Sequence, residues 1–272
     1  MMGKEKYTRN NFKSSLLKQI IIRADFSSLT DLNGFIMKLK SIKEVQKNFL
    51  GYQIMKTNNI NLQINPSRIM EDRFIPLEIN ETEVIHRFFD CKIEPIQQVH
   101  MDIGLTFVCI TIECNENYKA INEYINFIAL ILTILKKYDS YIQFERLAIR
   151  KIDGKDFPSL EEAYKTFEVM EDIINKLPAN ITHLKKSYTD CFILTDSKIK
   201  VNFTRGLEQF PNNIIRCVLD MDGYIDSSLI NFNEIVKYNT LKDLFSEKIN
   251  DSLFQLFKAS VTESFLEDGL NH

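Results

Sequence analysis

Tryptophan is absent from this chain of 272 residues, glycine occurs 8 times and proline 6 times. So little glycine excludes glycine-rich phosphate-cradling loops and long flexible linkers, which depend on its backbone freedom. The five cysteines, Cys91, Cys109, Cys114, Cys191 and Cys217, are odd in number and contain no C-x-x-C pair. That excludes a complete disulfide framework and a spaced thiolate metal site, and predicts buried free thiols in a reducing cytoplasm. His86, His100, His183 and His272 form neither an H-x-x-x-H nor an H-x-E pattern. No G-x-S-x-G, P-loop or dinucleotide fingerprint is present. The sequence therefore names no reaction, cofactor or metal, and a non-enzymatic role is expected. The opening from Met1 to Lys18 is polar and basic, unlike a secretory leader.

What is present suits a globular protein: 44% hydrophobic and 26% charged residues. With 20 Phe the core is expected to be rich in Phe and Ile. The net charge is −3, yet residues 1–56 hold eleven Lys/Arg against four Asp/Glu, about +7, leaving about −10 for the rest. A basic amino-terminal part admits an anionic partner, although a solvated lysine face explains it as well.

Two stretches read as one unit written twice. I-I-I-R-A-D-F-S-S-L spans residues 20–29, and L-A-I-R-K-I-D-G-K-D-F-P-S-L spans 147–160. Each is an apolar strand with an Arg and then an Asp, leading through Ser-Leu into an amphipathic helix. The predicted fold is α+β, in two related halves, 1–138 and 139–272. Each half runs strand, helix, antiparallel meander, helix, and the halves share one core.

Along the first half, a strand buried on both faces is expected at 16–27. Asp31 should cap a helix over 32–49. A hairpin is expected at 52–64 around Thr57-Asn58-Asn59, then strands at 73–79, 84–90, 92–100 and 103–114. A helix over 118–137 follows. Its run Tyr124 to Leu135 carries no charge, but its twelve residues fall short of the ~20 a membrane span needs. Being apolar nearly all round, it should meet the other half, a second copy or a partner.

Along the second half, a strand is expected at 140–152. Ser159 and Glu162 form a capping box that opens a helix to Leu177. Strands are expected at 181–186, 189–195, 198–204 and 214–222, with Thr195-Asp196-Ser197 as a turn. A last helix should run from 241 to 260, capped by Thr240, with an acidic tail from Glu263 extending it.

The strongest constellation is R-L-A-I-R at 146–150. On a strand Arg146 and Arg150 share a face and suit bidentate binding of phosphate or carboxylate. In L-D-M-D-G at 219–223, Asp220 and Asp222 share a face and suit a divalent cation. The competing reading is that these two arginines and two aspartates neutralise one another across strands. An EF-hand is excluded, because Gly223 as its sixth position puts Val218 and Leu229 where carboxylates are required. His100 and Asp102 share one strand face. Lys40, Lys43 and Lys47, with Lys38, Phe49 and Tyr52, offer a nucleic-acid surface, but aromatic interleaving is thin and the overall charge disfavours it.

Four blocks in order carry a family resemblance: F-x(4)-L-x-x-I-I-x-R-x-D-F from Phe12 to Phe26, E-R-L-A-I-R-K-I-D at 145–153, L-D-M-D at 219–222 and F-K-A-S-V-T-E-S-F at 257–265. Together they resemble a family of sporadically distributed, uncharacterised bacterial proteins of about this length. The family's central strand reads R-x-G-x-R-Y-x-N. Arg146 and Arg150 match it, whereas Ala148, Lys151 and Asp153 replace the Gly, Tyr and Asn. The resemblance implies no activity. The family's patchy distribution is similar to that of defence- or toxin-linked gene cassettes. The expected partner is a protein or a second copy of the chain, with a small-molecule anion as the alternative.

Overall fold

A computed structural model of the chain describes residues 7, 16–57, 60–61, 78–79, 83–90, 98–114, 121–168, 184–210, 214–232 and 237–271. Its centre is β1 (Leu17–Phe26) paired antiparallel with β8 (Phe144–Phe157), so that Ile21 faces Arg150 and Asp25 faces Arg146. Outward from β1 lie β7 (Phe107–Glu113), β6 (Val99–Ile103), β5 (Glu83–Phe89) and β2 (Gly51–Thr57). Outward from β8 lie β11 (Ile215–Asp226), β10 (Ile199–Gln209) and β9 (Leu184–Leu194). The nine strands form one sheet in which every neighbouring pair is antiparallel. A separate short pair joins β3 (Ile60–Asn61) to β4 (Glu78–Ile79). The fold class is therefore mixed α+β.

Period-two alternation gives the sheet two unlike faces. Ile20, Ile22, Ala24 and Phe26 are buried on β1, as are Leu147 and Ile149 on β8 and Leu219, Met221 and Ile225 on β11. Arg23, Asp25, Arg146, Asp220 and Asp222 stand on the other face, partly exposed. The expectation of a first strand buried on both faces is thus corrected: β1 is buried on one face and half-buried on the other.

The apolar face joins one hydrophobic cluster with the helices. Among the described residues these are α1 (Leu32–Lys40), α2 (Lys43–Asn48), α3 (Ile121–Tyr138), α4 (Leu160–Tyr164), α5 (Tyr238–Asp243), α6 (Asp251–Ser260) and α7 (Glu263–Asn271). A π-helical segment, Leu244–Asn250, joins α5 to α6 without a break. Gly223 lies under α6, where a Cβ would come within 2.8 Å of Leu253 Cδ2. Close helix approach therefore accounts for the glycine after the aspartate pair.

Several local expectations are corrected. Asp31 does cap α1, accepting the Gly34 N–H at 2.9 Å, but Ile42 is extended and splits the helix expected over 32–49 into α1 and α2. Among the described residues of the hairpin expected at 52–64, β2 pairs with β5 and β3 with β4 instead of with each other, while residues 58, 59 and 62–64 lie outside the described residues. Ser159 caps α4 by accepting the Glu162 N–H at 3.2 Å, yet this helix ends at Tyr164, well short of Leu177. The strands expected at 181–186 and 189–195 are one strand, β9. Thr240 lies within α5, whose cap position is Lys237. Val261 and Thr262 interrupt the last helix, and the Thr262 hydroxyl accepts the Phe265 N–H at 3.2 Å to start α7. The strands expected at 73–79 and 92–100 and the helix end at 177 fall largely outside the described residues.

The apolar helix α3 is covered by its own chain. Ile125, Ile128, Ala129, Ile131, Leu132 and Leu135 are buried, and none of residues 124–135 is exposed. Phe127 packs on Phe49, with ring centroids 5.3 Å apart. The need for a partner over this helix is therefore withdrawn. Among the described residues no helix is long and apolar enough to cross a membrane.

Candidate functional site

The polar face of the sheet places the predicted arginines and aspartates together, because β8 and β11 are neighbours with Arg150 opposite Asp222 and Arg146 opposite Asp226. The pairs form off the direct register: Arg150 takes the diagonal neighbour Asp220, and Arg146 reaches along β11 to Asp222. Arg146 Nη2 donates to both carboxylate oxygens of Asp222, at 2.8 and 2.7 Å. Arg150 Nε donates to Asp220 at 2.7 Å, and its Nη2 completes a two-point contact. Two parallel N–H donors on one carboxylate suit the planar guanidinium. Both arginines are thus committed to carboxylates.

The pairing extends across the sheet. Arg146 Nη1 reaches Asp25 at 3.4 Å, Asp25 accepts from Arg23 Nε at 2.6 Å, and Asn202 donates to Asp222 at 3.4 Å. Lys200 donates to Asp226 at 2.5 Å. On the β1 side of the sheet Arg87 makes two 2.7 Å bonds to Asp102, and His100 Nε2 lies 3.7 Å from the same carboxylate. Aromatic rings underlie two cations: Arg23 sits 4.5 Å over Phe107 and Arg146 4.6 Å over Tyr224. Asp102 raises the Arg87 pKa and Asp220 raises that of Arg150, each chiefly through its hydrogen bond. The result is a charge-balanced ladder, which gives little steering to an anion.

A pocket of about 500 Å³ opens beside Arg146, lined by Asp25, Phe26, Ser27, Ser28, Thr106 and Glu145. Two carboxylates against one guanidinium make it a poor phosphate site. Asp220 and Asp222 do not converge on a cation site, since each is taken by an arginine. Among the described residues no group of three or more His, Cys, Asp or Glu side chains is arranged to hold a metal ion.

The proposed basic surface is divided by the structure. Lys43 and Lys47 are exposed on α2 and Lys38 on α1. Lys40 instead lies 3.3 Å over the ring of Tyr52. Beneath it is a cluster the sequence did not single out. The Tyr52 hydroxyl lies 2.6 Å from His86 Nδ1, and His86 is buried, with its Nε2 lacking a hydrogen-bond partner. Burial, with Lys40 adding to it, lowers the His86 pKa, and burial raises that of Tyr52. The only sequence signal was Tyr52 itself, since His86 lies 34 residues further along the chain and only the pairing of β2 with β5 brings the two together.

The thiols divide as well. Burial pushes Cys109 up to about 11, and Cys114 and Cys217 up to about 12, so none supplies thiolate near neutral pH. Cys191 is exposed on β9, correcting the expectation that all five cysteines are buried.

Among the described residues β9 is one edge of the sheet, and most of its side chains are exposed. Lys185, Ser187, Tyr188, Thr189, Asp190, Cys191 and Ile193 are all exposed, Tyr188 to 49% and Ile193 to 54%. Its inner neighbour β10 holds it in register from Ile199 opposite Leu194 to Gln209 opposite Leu184. Thr189 bonds Thr204 at 2.7 Å, and Asp190 accepts from Arg205 at 2.6 Å.

No family model matches the chain, and no curated protein matches it either.

Proposed function

We propose that this chain is a non-enzymatic bacterial cytoplasmic protein that binds a protein partner, with the sheet edge β9 as the docking element. The single observation carrying this reading is an eleven-residue edge strand whose side chains are exposed over most of its length. Among the described residues β9 pairs with β10 alone, and a strand edge open on its other side presents a row of backbone donors and acceptors that a second strand completes. The closed charge ladder supports the same reading, because Arg146 and Arg150 are engaged by Asp222 and Asp220 and not held ready for a ligand. Placement in a defence- or toxin-related gene cassette rests on the family resemblance alone.

The proposal includes an origin by duplication. What supports it is the order of elements outward from the centre. β1 leads to α1 and a meander ending in β7 beside it, followed by α3. β8 leads to α4, then to strands ending in β11 beside it, followed by α5. Asp25-Phe26 and Asp156-Phe157 stand at equivalent ends of the two central strands.

The test is affinity capture from the native host with the tagged chain. A protein captured by the wild type and lost from a Tyr188→Asp, Ile193→Lys variant is expected, while Arg146→Ala and Arg150→Ala variants keep it. Identical captures with the β9 variant would overturn the reading, and selective loss in the arginine variants would favour anion binding instead.

A further inference from the structure

We infer that Lys40, Tyr52 and His86 form an acid-released latch, which holds the end of α1 on β2 near neutral pH and lets it go when His86 takes up a proton. Three elements build it. α1 ends at Lys40, whose backbone carbonyl accepts the Gln46 side-chain amide of α2 at 2.8 Å. The Lys40 ammonium lies 3.3 Å over the Tyr52 ring of β2. That ring stacks on the His86 ring of β5 with centroids 6.0 Å apart, and the Tyr52 hydroxyl lies 2.6 Å from His86 Nδ1. One cation–π contact therefore ties the helix end to a tyrosine whose orientation a histidine fixes.

Only a neutral His86 fits this arrangement. A neutral imidazole carries one N–H and one acceptor nitrogen, and the Tyr52 hydroxyl complements whichever of the two Nδ1 presents. Nε2 has no hydrogen-bond partner, and the residue is 3% exposed. Protonation makes both nitrogens donors. Nδ1 then needs the hydroxyl as its acceptor, and the Nε2 proton meets none. The new charge also meets no counter-ion. Ile54 and Ile103 stand directly opposite His86 on β2 and β6. Val84 and Phe88 flank it on the same face of β5, while Glu83, Arg87 and Asp102 point from the other face. Among the described residues the cations on its side are Lys40 of α1 and the exposed Lys56 of β2, and the acid of α2, Glu44, is exposed to solvent.

A buried cation without a counter-charge is costly, so the proton enters by opening the weakest of these contacts. The pairing of β2 with β5 runs from Gly51 opposite Phe89 to Thr57 opposite Glu83. Against that ladder, the ammonium on the ring is one side-chain contact, and its removal also takes away the like charge. Burial first, and then Lys40, hold the His86 pKa below 6.5. The latched state therefore binds fewer protons than the released one, and the latch weakens as pH falls below about 6.5. Release sets the Lys40 ammonium in solvent, where Lys38 and Lys43 already stand. Acid thus enlarges the basic surface of α1 and α2.

The test follows two nuclear magnetic resonance signals of the full-length chain from about pH 7.5 to about pH 5. One is the ring C–H of His86, identified by its loss in His86→Phe. The other is the Lys40 ε-methylene, identified by its loss in Lys40→Met. The Tyr52 ring current is expected to shift the ε-methylene upfield near neutral pH. On acidification it should return towards the position of a solvated lysine, with the same midpoint as His86. In His86→Phe the upfield shift should persist to the lowest pH. In Lys40→Met the His86 midpoint should rise, because the like charge is gone. Circular dichroism checks that each variant keeps the fold, and the wild type with Lys40→Met decides the matter if His86→Phe does not. A Lys40 signal that stays put while His86 titrates would overturn the latch. So would an unchanged acid response in His86→Phe, or a His86 midpoint indifferent to Lys40→Met.

Discussion

Asp153 carries its carboxyl onto the apolar face of β8, two residues beyond Lys151, and both side chains are buried there. Burial raises its pKa from 3.8 to about 7, with Lys151 partly opposing the shift. Desolvation disfavours the ionised form, and the unfolded chain has no such penalty. Below about 3.8 both states hold the proton, so the carboxyl is neutral in each. Between about 3.8 and about 7 the unfolded chain releases it while the folded chain keeps it, so stability falls as pH rises. Above about 7 both states are ionised and the penalty stays constant. The Asp153→Asn variant should therefore gain on the wild type as pH is raised from 4 to 7, read as a growing difference in urea midpoint. A difference that does not change with pH would show that Asp153 ionises alike in both states. At this scale the alternation of Arg146 with Arg150 and of Asp220 with Asp222 was legible, because period two fixes faces directly. Their partners were not: Arg146 reaches Asp25, which only the pairing of β1 with β8 brings near. The buried Tyr52–His86 contact was hidden for the same reason.

Between residue and molecule, the helix from Tyr238 to Ser260 shows how a clean apolar stripe conceals an irregularity. Leu241, Leu244, Phe245, Ile249, Leu253 and Phe257 are buried as the spacing predicts. Spacings of three and four do not report whether one turn is widened, so the π-helical turn over Leu244–Asn250 left no mark in the pattern. Asn250 closes that turn, is fully buried, and has no hydrogen-bond partner for either amide atom. A buried polar group without a partner costs about 1–3 kcal/mol, and an apolar group of similar shape removes that cost. Asn250→Leu should raise the unfolding free energy by roughly 1 kcal/mol after some repacking strain, read as a higher urea midpoint at unchanged slope. A lowered midpoint would mean that the amide is satisfied in solution, for example by an enclosed water. The split between α1 and α2 escaped the sequence differently. Leu39, Ile42 and Val45 keep helical spacing through a break that the extended backbone of Ile42 creates.

In the whole molecule, β1 and β8 are both the centre of the sheet and the place where the two expected halves meet. Strand existence and the α+β class were legible from alternation and β-branched runs. Strand order was not, because pairs such as β2 with β5 and β1 with β8 depend on contacts distant in sequence. The same central pairing makes independent folding of the halves improbable on energetic grounds. Separating them would open the ladder from Leu17 to Phe26 and expose Ile20, Ile22, Leu147 and Ile149, each worth about 1.5–3 kcal/mol when buried. One hydrophobic cluster also runs through α3 from the first half and Leu241, Phe245 and Ile249 from the second. A small domain is only marginally stable, so a loss of that size exceeds what either half holds in reserve. The full chain should therefore unfold in urea as one transition, with tyrosine fluorescence and far-ultraviolet circular dichroism giving the same midpoint. Residues 139–272 expressed alone should lack a cooperative transition. Two separated transitions, or a cooperatively folding fragment, would show that the β1–β8 seam joins two self-sufficient domains.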